Sequence, residues 1–183
     1  GMNICVFGSS SEQIDKIYLE SAEHLGKKIA EKGYNLVFGA GKYGVMGASA
    51  RGAYSAGGYT IGVTPDFFID VGVVFDKCSE LIVTDTMRER KCIMEDKADA
   101  FVICAGGMGT FEEFFEVLVL KQLNKLDKPI AIFNPGDYFA PLMQMLSHAV
   151  RHGFMENRCM RLFGIFKDIG ELLDYIEEEY SYK

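Results

Sequence analysis

Ala100-Phe101-Val102-Ile103-Cys104-Ala105 runs directly into Gly106-Gly107-Met108-Gly109-Thr110-Phe111-Glu112-Glu113, and that junction decides the fold. The first six residues are an apolar run suited to a buried strand. The glycines make a tight turn, and the apolar-rich segment from Phe114 to Leu123 reads as a helix. A helix N-terminus offers unpaired backbone N–H groups and a partial positive charge, which together make a seat for phosphate. Glycine lets the backbone close on an anion without a Cβ in the way. Glu112 and Glu113 do not suit a pure anion cradle, so at least one of them has a separate task.

Outward from that junction the chain alternates β-rich runs with helical patterns. Strands are predicted at 3–7, 35–38, 59–64, 81–83, 100–104, 129–133 and 162–166. Helices are predicted at 13–32, from the Gly39–Gly47 loop to about Ala56, and at 84–97, 111–123, 138–151 and 169–179. Pro65 halts the third strand, and Phe67 to Lys77 reads as a loop. Strands separated by helices imply right-handed crossovers and a parallel sheet covered on both faces. The expected fold class is therefore α/β: one Rossmann-like, doubly wound parallel sheet with helices on both faces, a single domain over residues 1–183. No repeat, linker or low-complexity segment interrupts it.

Ligands in such sheets bind at the carboxyl ends of the strands. Three glycine- or serine-rich loops collect there: Gly8-Ser9-Ser10-Ser11, Gly39 to Gly47, and the Gly106–Glu113 turn. Gly8, Ser9, Gly44, Met46 and Gly47 are accordingly candidate ligand-binding positions. Gly39-Ala40-Gly41-Lys42-Tyr43-Gly44 formally matches the dinucleotide fingerprint G-x-G-x-x-G. It follows the second strand, however, and no ribose-binding acid is clearly placed about 20 residues on. NAD is therefore not the expected ligand, and no cofactor is implied.

The balance of 26 acidic against 19 basic residues gives a net charge of −7, which argues against general nucleic-acid or membrane-surface binding. Apolar content of 49% is ordinary for a globular protein. Cys5, Cys78, Cys92, Cys104 and Cys159 are odd in number, scattered and mostly within apolar runs. They read as reduced, buried thiols, not as a disulfide frame or zinc site. No basic leader precedes the first strand, so a cytoplasmic location is expected, and Gly1 before Met2 reads as a cloning remnant.

Met87, Arg90, Lys91 and Met94 fall at i, i+3, i+4 and i+7 of a predicted helix and should share one face. Arginine suits an anionic ligand through its bidentate fork. Glu89-Arg90-Lys91 between Met87 and Met94, followed by Gly106-Gly107-x-Gly109-Thr110-x-x-Glu113, resembles the LOG family of cytokinin-activating phosphoribohydrolases, often mislabelled "lysine decarboxylase". The family pattern is Pro-Gly-Gly-x-Gly-Thr-x-x-Glu, and Ala105 stands at the proline. Gly44-Val45-Met46-Gly47 is similar to the family's first nucleotide loop.

The resemblance implies a Rossmann-like homodimer that hydrolyses the N-glycosidic bond of a nucleoside 5′-monophosphate to free base and ribose 5-phosphate. It implies Arg90 and Glu113 as the catalytic pair. Lys91, Gly106, Gly107, Gly109 and Thr110 would bind the nucleotide, with Met87 and Met108 beside them as further candidates and Glu112 a second candidate for the ribose.

Elementary chemistry points the same way. Breaking a C1′–N bond builds positive charge on the ribose, which a fixed carboxylate stabilises. Arg90 has two available tasks: holding Glu113 ionised, or assisting the departing base. No metal is needed. His148 and His152 are four apart on a predicted helix, but no third ligand accompanies them. The helix 111–123 is apolar on nearly every side, which suits either a central helix or, preferably, a dimer seam. A pyridoxal-dependent lysine decarboxylase has little support in these residues. The competing reading is a non-catalytic nucleotide or molybdenum-cofactor carrier on the same fold, which would not require both Arg90 and Glu113.

Overall fold

Runs of Val, Ile and Phe that cannot be hydrated become strands, and all of them join one sheet. The computed structural model describes residues 1–182. Its strands are β1 (Asn3–Phe7), β2 (Asn35–Phe38), β3 (Thr60–Pro65), β4 (Glu80–Thr84), β5 (Ala100–Ile103), β6 (Ile130–Phe133) and β7 (Gly164–Phe166). They form a seven-stranded sheet in the order β4-β3-β2-β1-β5-β6-β7. Every pairing is parallel, as crossover connections require. The Rossmann-like, doubly wound reading therefore holds.

The helices are α1 (Lys16–Glu31), α2 (Gly44–Ser55), α3 (Asp66–Asp70), α4 (Met87–Lys97), α5 (Met108–Gln122), α6 (Ala140–Arg151) and α7 (Ile169–Ser181). Alternate residues of each strand feed two cores. Ile4, Val6, Leu36, Phe38, Val102 and Phe133 pack under α1, α2 and α7. Cys5, Phe7, Val37, Val63, Phe101 and Ile132 face α4, α5 and α6 on the other side. The period-2 alternation of side chains explains how one apolar run serves both layers.

Several boundaries differ from expectation: α5 starts at Met108, α6 at Ala140 and β7 at Gly164, and three further differences have a clear local cause. Residues 13–15 do not join α1, because Ser9 and Ser11 side chains accept the amides of Ser11 and Gln13 at 2.9 and 3.2 Å. Such local bonds compete with helix formation. The fourth helix starts at Met87, not Thr84: the Thr86 hydroxyl accepts the Glu89 amide at 3.1 Å and caps it. Phe67 to Lys77 is not all loop. Asp66–Asp70 forms one helical turn, after which the chain returns through an antiparallel bridge between Gly41 and Val74.

The cysteines form no disulfide, and Cys5, Cys104 and Cys159 are buried. Cys92 lies exposed on the polar side of α4. Among the described residues, no helix is long and apolar enough to cross a membrane.

Candidate active site

β1 is the place where the sheet changes direction. The chain winds outward through β2, β3 and β4, then returns to place β5 on the other flank of β1. The loops after β1 and β5 must therefore diverge to opposite faces, which opens a crevice at the carboxyl edge. The Ser9 amide bonds the Ala105 carbonyl at 3.0 Å and ties the two loops together at its floor.

A cavity of about 660 Å³ occupies this crevice. Its size suits a small organic ligand. A wider groove of about 850 Å³ between α1 and α7, lined by Glu20, His24, Lys28 and Asp168, lies away from both glycine turns.

The two helix N-termini beside the crevice differ sharply. At α2, the Gly44 amide bonds the Glu12 carboxylate at 2.7 Å, the Met46 amide bonds the Ser9 carbonyl at 3.1 Å, and the Gly47 amide bonds the Tyr43 carbonyl at 3.0 Å. Three of that terminus's first four amides are thus taken by the protein's own acceptors. At α5, only Phe111 has found its partner, the Gly107 carbonyl at 3.0 Å. Among the described residues the amides of Met108, Gly109 and Thr110 have no protein acceptor. All three residues line the cavity, as does Gly107. The anion seat is thus at α5, where the aligned peptide dipoles favour negative charge.

Glu113 lies one turn into α5 and also lines the cavity. Burial pushes its carboxyl up to about 7; the Arg90 charge pulls the other way, Glu112 adds to the rise and Lys91 opposes it. Arg90 is only 7% exposed. Its Nε donates to the Val63 carbonyl and its Nη2 to the Gly39 carbonyl, each at 2.9 Å. These two carbonyls sit at the ends of β3 and β2, so the guanidinium is braced by the sheet edge. Among the described residues Nη1 has only the weakly accepting sulfur of Met87, at 3.8 Å. Among the described residues no direct ion pair joins Arg90 to Glu113. Desolvation therefore outweighs the guanidinium, and Arg90 holds only part of the Glu113 population ionised at neutral pH.

The stripe on α4 needs a correction. Met87, Arg90 and Met94 line the cavity, but Lys91 does not. Successive helix positions turn by about 100°, so Lys91 faces away from Arg90's direction. Lys91 instead binds Glu112 and Glu116 of α5 at 3.2 and 3.3 Å. Glu112 is thereby directed to the surface, and of the two neighbouring acids only Glu113 reaches the cavity.

Gly8, Ser9, Met46, Gly107, Met108, Gly109 and Thr110 are on the wall. Gly44, Gly47 and Gly106 are not. Gly44 turns the chain with a φ of 68° beneath Ser9, Gly47 lies against the Lys42 carbonyl, and Gly106 is closed over by the Thr110 side chain. Sequence reasoning missed the apolar wall of Phe68, Val71 and Val73. The signal was Pro65-Asp66 ahead of Phe67-Phe68, a proline and an acid opening a helical turn. The Phe68 ring faces the Arg90 guanidinium at 5.9 Å.

The class these features define is a doubly wound α/β protein with an anion seat at its switch point and a buried acid and guanidinium beside that seat. A family model described as "Possible lysine decarboxylase" matches residues 46–176. The chain is 33% identical to the "Probable cytokinin riboside 5'-monophosphate phosphoribohydrolase LOGL2" of Oryza sativa subsp. japonica, over 96% of this chain and 72% of that one. It is 37% identical to the cytokinin riboside 5'-monophosphate phosphoribohydrolase of Mycobacterium tuberculosis, over 85% of this chain and 83% of that one. The chain belongs to this family, the LOG family.

Among solved structures it is similar to the molybdenum cofactor binding protein of Rippkaea orientalis, with a TM-score of 0.75, 26% identity, and coverage of 97% of this chain and 96% of that one. The Moco carrier protein from Chlamydomonas reinhardtii, at TM-score 0.74, 24% identity and coverage of 100% and 99%, shares the fold.

Proposed function

We propose that the chain hydrolyses the N-glycosidic bond of a nucleoside 5′-monophosphate, AMP or an N6-substituted AMP, to free base and ribose 5-phosphate. The observation that carries this reading is Glu113, a carboxyl raised to about 7, on the same helix turn whose first amides stand open to an anion. The phosphate sits on Gly107, Met108, Gly109 and Thr110 and tethers the nucleotide. Binding energy far from the reacting bond then holds the anomeric carbon in place. The base lies along Phe68, Val71 and Val73.

A water oxygen bonds to C1′ as the C1′–N bond breaks, and that bond's electron pair leaves with the base nitrogen. Ionised Glu113 stabilises the cationic ribose and takes the water's proton. The departing nitrogen takes up a proton in turn, so the net reaction consumes one water. A carboxyl near 7 is a stronger base than an ordinary one and is still ionised in half the molecules at neutral pH. Arg90 Nη1 is the donor left for the ligand's departing side. The relatives' names carry the same activity.

The decisive experiment is incubation with AMP and chromatography for adenine. Release is expected, and Glu113→Gln should abolish it while AMP still binds. AMP binding without release by the unmodified protein would favour the carrier reading suggested by the molybdenum cofactor binding neighbour. A panel of nucleoside monophosphates then ranks the bases.

The same proposal includes a homodimer. Phe115, Val119 and Leu123 recur on one side of α5 and remain 37%, 45% and 59% exposed. The helix buries its opposite face through Phe114, Val117 and Leu118, so it is not apolar all round by being central to one subunit. An exposed apolar stripe of this kind suits a two-fold seam between copies.

A further inference from the structure

Carrying α5 back by one turn would bond the Gly109 amide to the Ala105 carbonyl and the Thr110 amide to the Gly106 carbonyl. Both carbonyls are diverted. Ala105 accepts the Ser9 amide at 3.0 Å, and Gly106 accepts the Tyr138 hydroxyl at 2.6 Å. The anion seat is open because its natural acceptors are engaged elsewhere.

Tyr138 is well placed to hold one of them. It follows the turn after β6, which Asn134 organises: its side chain accepts the Phe139 amide at 2.8 Å and donates to Asp137 at 3.0 Å. The Tyr138 ring meets Tyr18 edge-on at 5.7 Å and Phe139 at 5.0 Å. Phe139 itself is buried in the core. The hydroxyl is therefore delivered by the fold and not by a free-swinging side chain. Tyr138 is absent from the cavity wall, so it acts on the turn and not on the ligand.

The peptide joining Gly106 to Gly107 is trans. In a trans peptide the carbonyl and the N–H point in opposite directions. Fixing the Gly106 carbonyl on Tyr138 sets the direction of the Gly107 amide, and Gly107 lines the cavity. We propose that Tyr138 is a positioning residue which, by holding the Gly106 carbonyl away from α5, aims the Gly107 amide and the open first turn at the substrate's 5′-phosphate. This rests on the reading of the site as one for a nucleoside 5′-monophosphate.

The test is Tyr138→Phe, which keeps both ring contacts and removes only the hydroxyl. AMP and adenosine are compared, because adenosine lacks the phosphate. The KM for AMP should rise about tenfold with kcat within about twofold, the loss of one well-aimed hydrogen bond to a charged group. Binding of adenosine, measured by calorimetry, should not change, so the preference for AMP over adenosine falls about tenfold. That ratio does not depend on the fraction of folded protein. An unchanged ratio overturns the proposal, as does an equal loss for both ligands, which is what a merely structural tyrosine predicts. If the unmodified protein releases no adenine at all, the hydrolase reading fails. The calorimetric AMP-to-adenosine ratio in Tyr138→Phe still decides the role of Tyr138.

Discussion

Glu113 lies where catalysis and folding make opposite demands. The proposed reaction wants a carboxylate in a buried crevice, and burial disfavours the carboxylate. Its folded value of about 7 stands above the ordinary 4.5. Below about 4.5 the group is protonated in both folded and unfolded chains and costs nothing. As pH rises from there through 7, the unfolded chain gives up its proton first, and the folded state loses relative stability. Glu113→Gln should therefore be more stable than the unmodified protein at pH 8, by on the order of 2 kcal/mol, and indistinguishable near pH 4. Urea unfolding at the two pH values measures this. In the unmodified protein kcat/KM for AMP should climb to a plateau above about 7, since the proposed mechanism uses the ionised form.

Arg90 and Glu113 were legible as a pair because their residue types and spacing matched a family pattern. Lys91 and Glu112 were misplaced because adjacent positions on a helix look alike in a string and face different ways in space. Tyr138 was invisible: nothing in Gly136-Asp137-Tyr138 says that its hydroxyl reaches a turn 32 residues earlier.

At the scale of elements, α1 and α2 touch backbone to backbone. A Cβ on Gly26 would collide with the Ser49 carbonyl, and one on Gly52 with the Glu23 carbonyl. Alanine normally favours a helix over glycine by about 1 kcal/mol. Here the obstacle is main chain, which cannot rotate aside, and overpacking costs about 1–3 kcal/mol or more. The second effect should win. Gly52→Ala is expected to lower the unfolding free energy by a net of about 2 kcal/mol, read as a lower urea midpoint at an unchanged m-value.

The strands were readable because β-branched and aromatic runs bounded by glycine or proline leave few other options. The short α3 shows no helical period over Asp66–Asp70, so only Pro65-Asp66 at its start could have marked it. The start of α4 was readable in principle from Thr86 and Glu89, a capping pair three residues apart.

For the whole molecule, strand order follows from no local pattern, yet it decides everything about the site. Only because β5 returns beside β1 do the serine loop and the open end of α5 meet. The exposed stripe on α5 belongs to this scale too. Val119→Asp should leave the subunit folded, since the side chain is exposed, and convert a species of twice 20.4 kDa into a monomer. Light scattering after gel filtration reads this directly. A monomer in the unmodified protein would rule the seam out.

Two sides of the crevice are hard to alter. The serine and glycine loops ride on a pair of helices locked at main-chain contact, and the floor is braced by Arg90 against two strand ends. The side formed by α3 is different, because none of its residues is buried. On the proposed reading of the crevice, Val71 and Val73, just past α3, are the positions at which the wall can be rewritten to change which base it admits, whereas Phe68 also carries the Arg90 guanidinium on its ring.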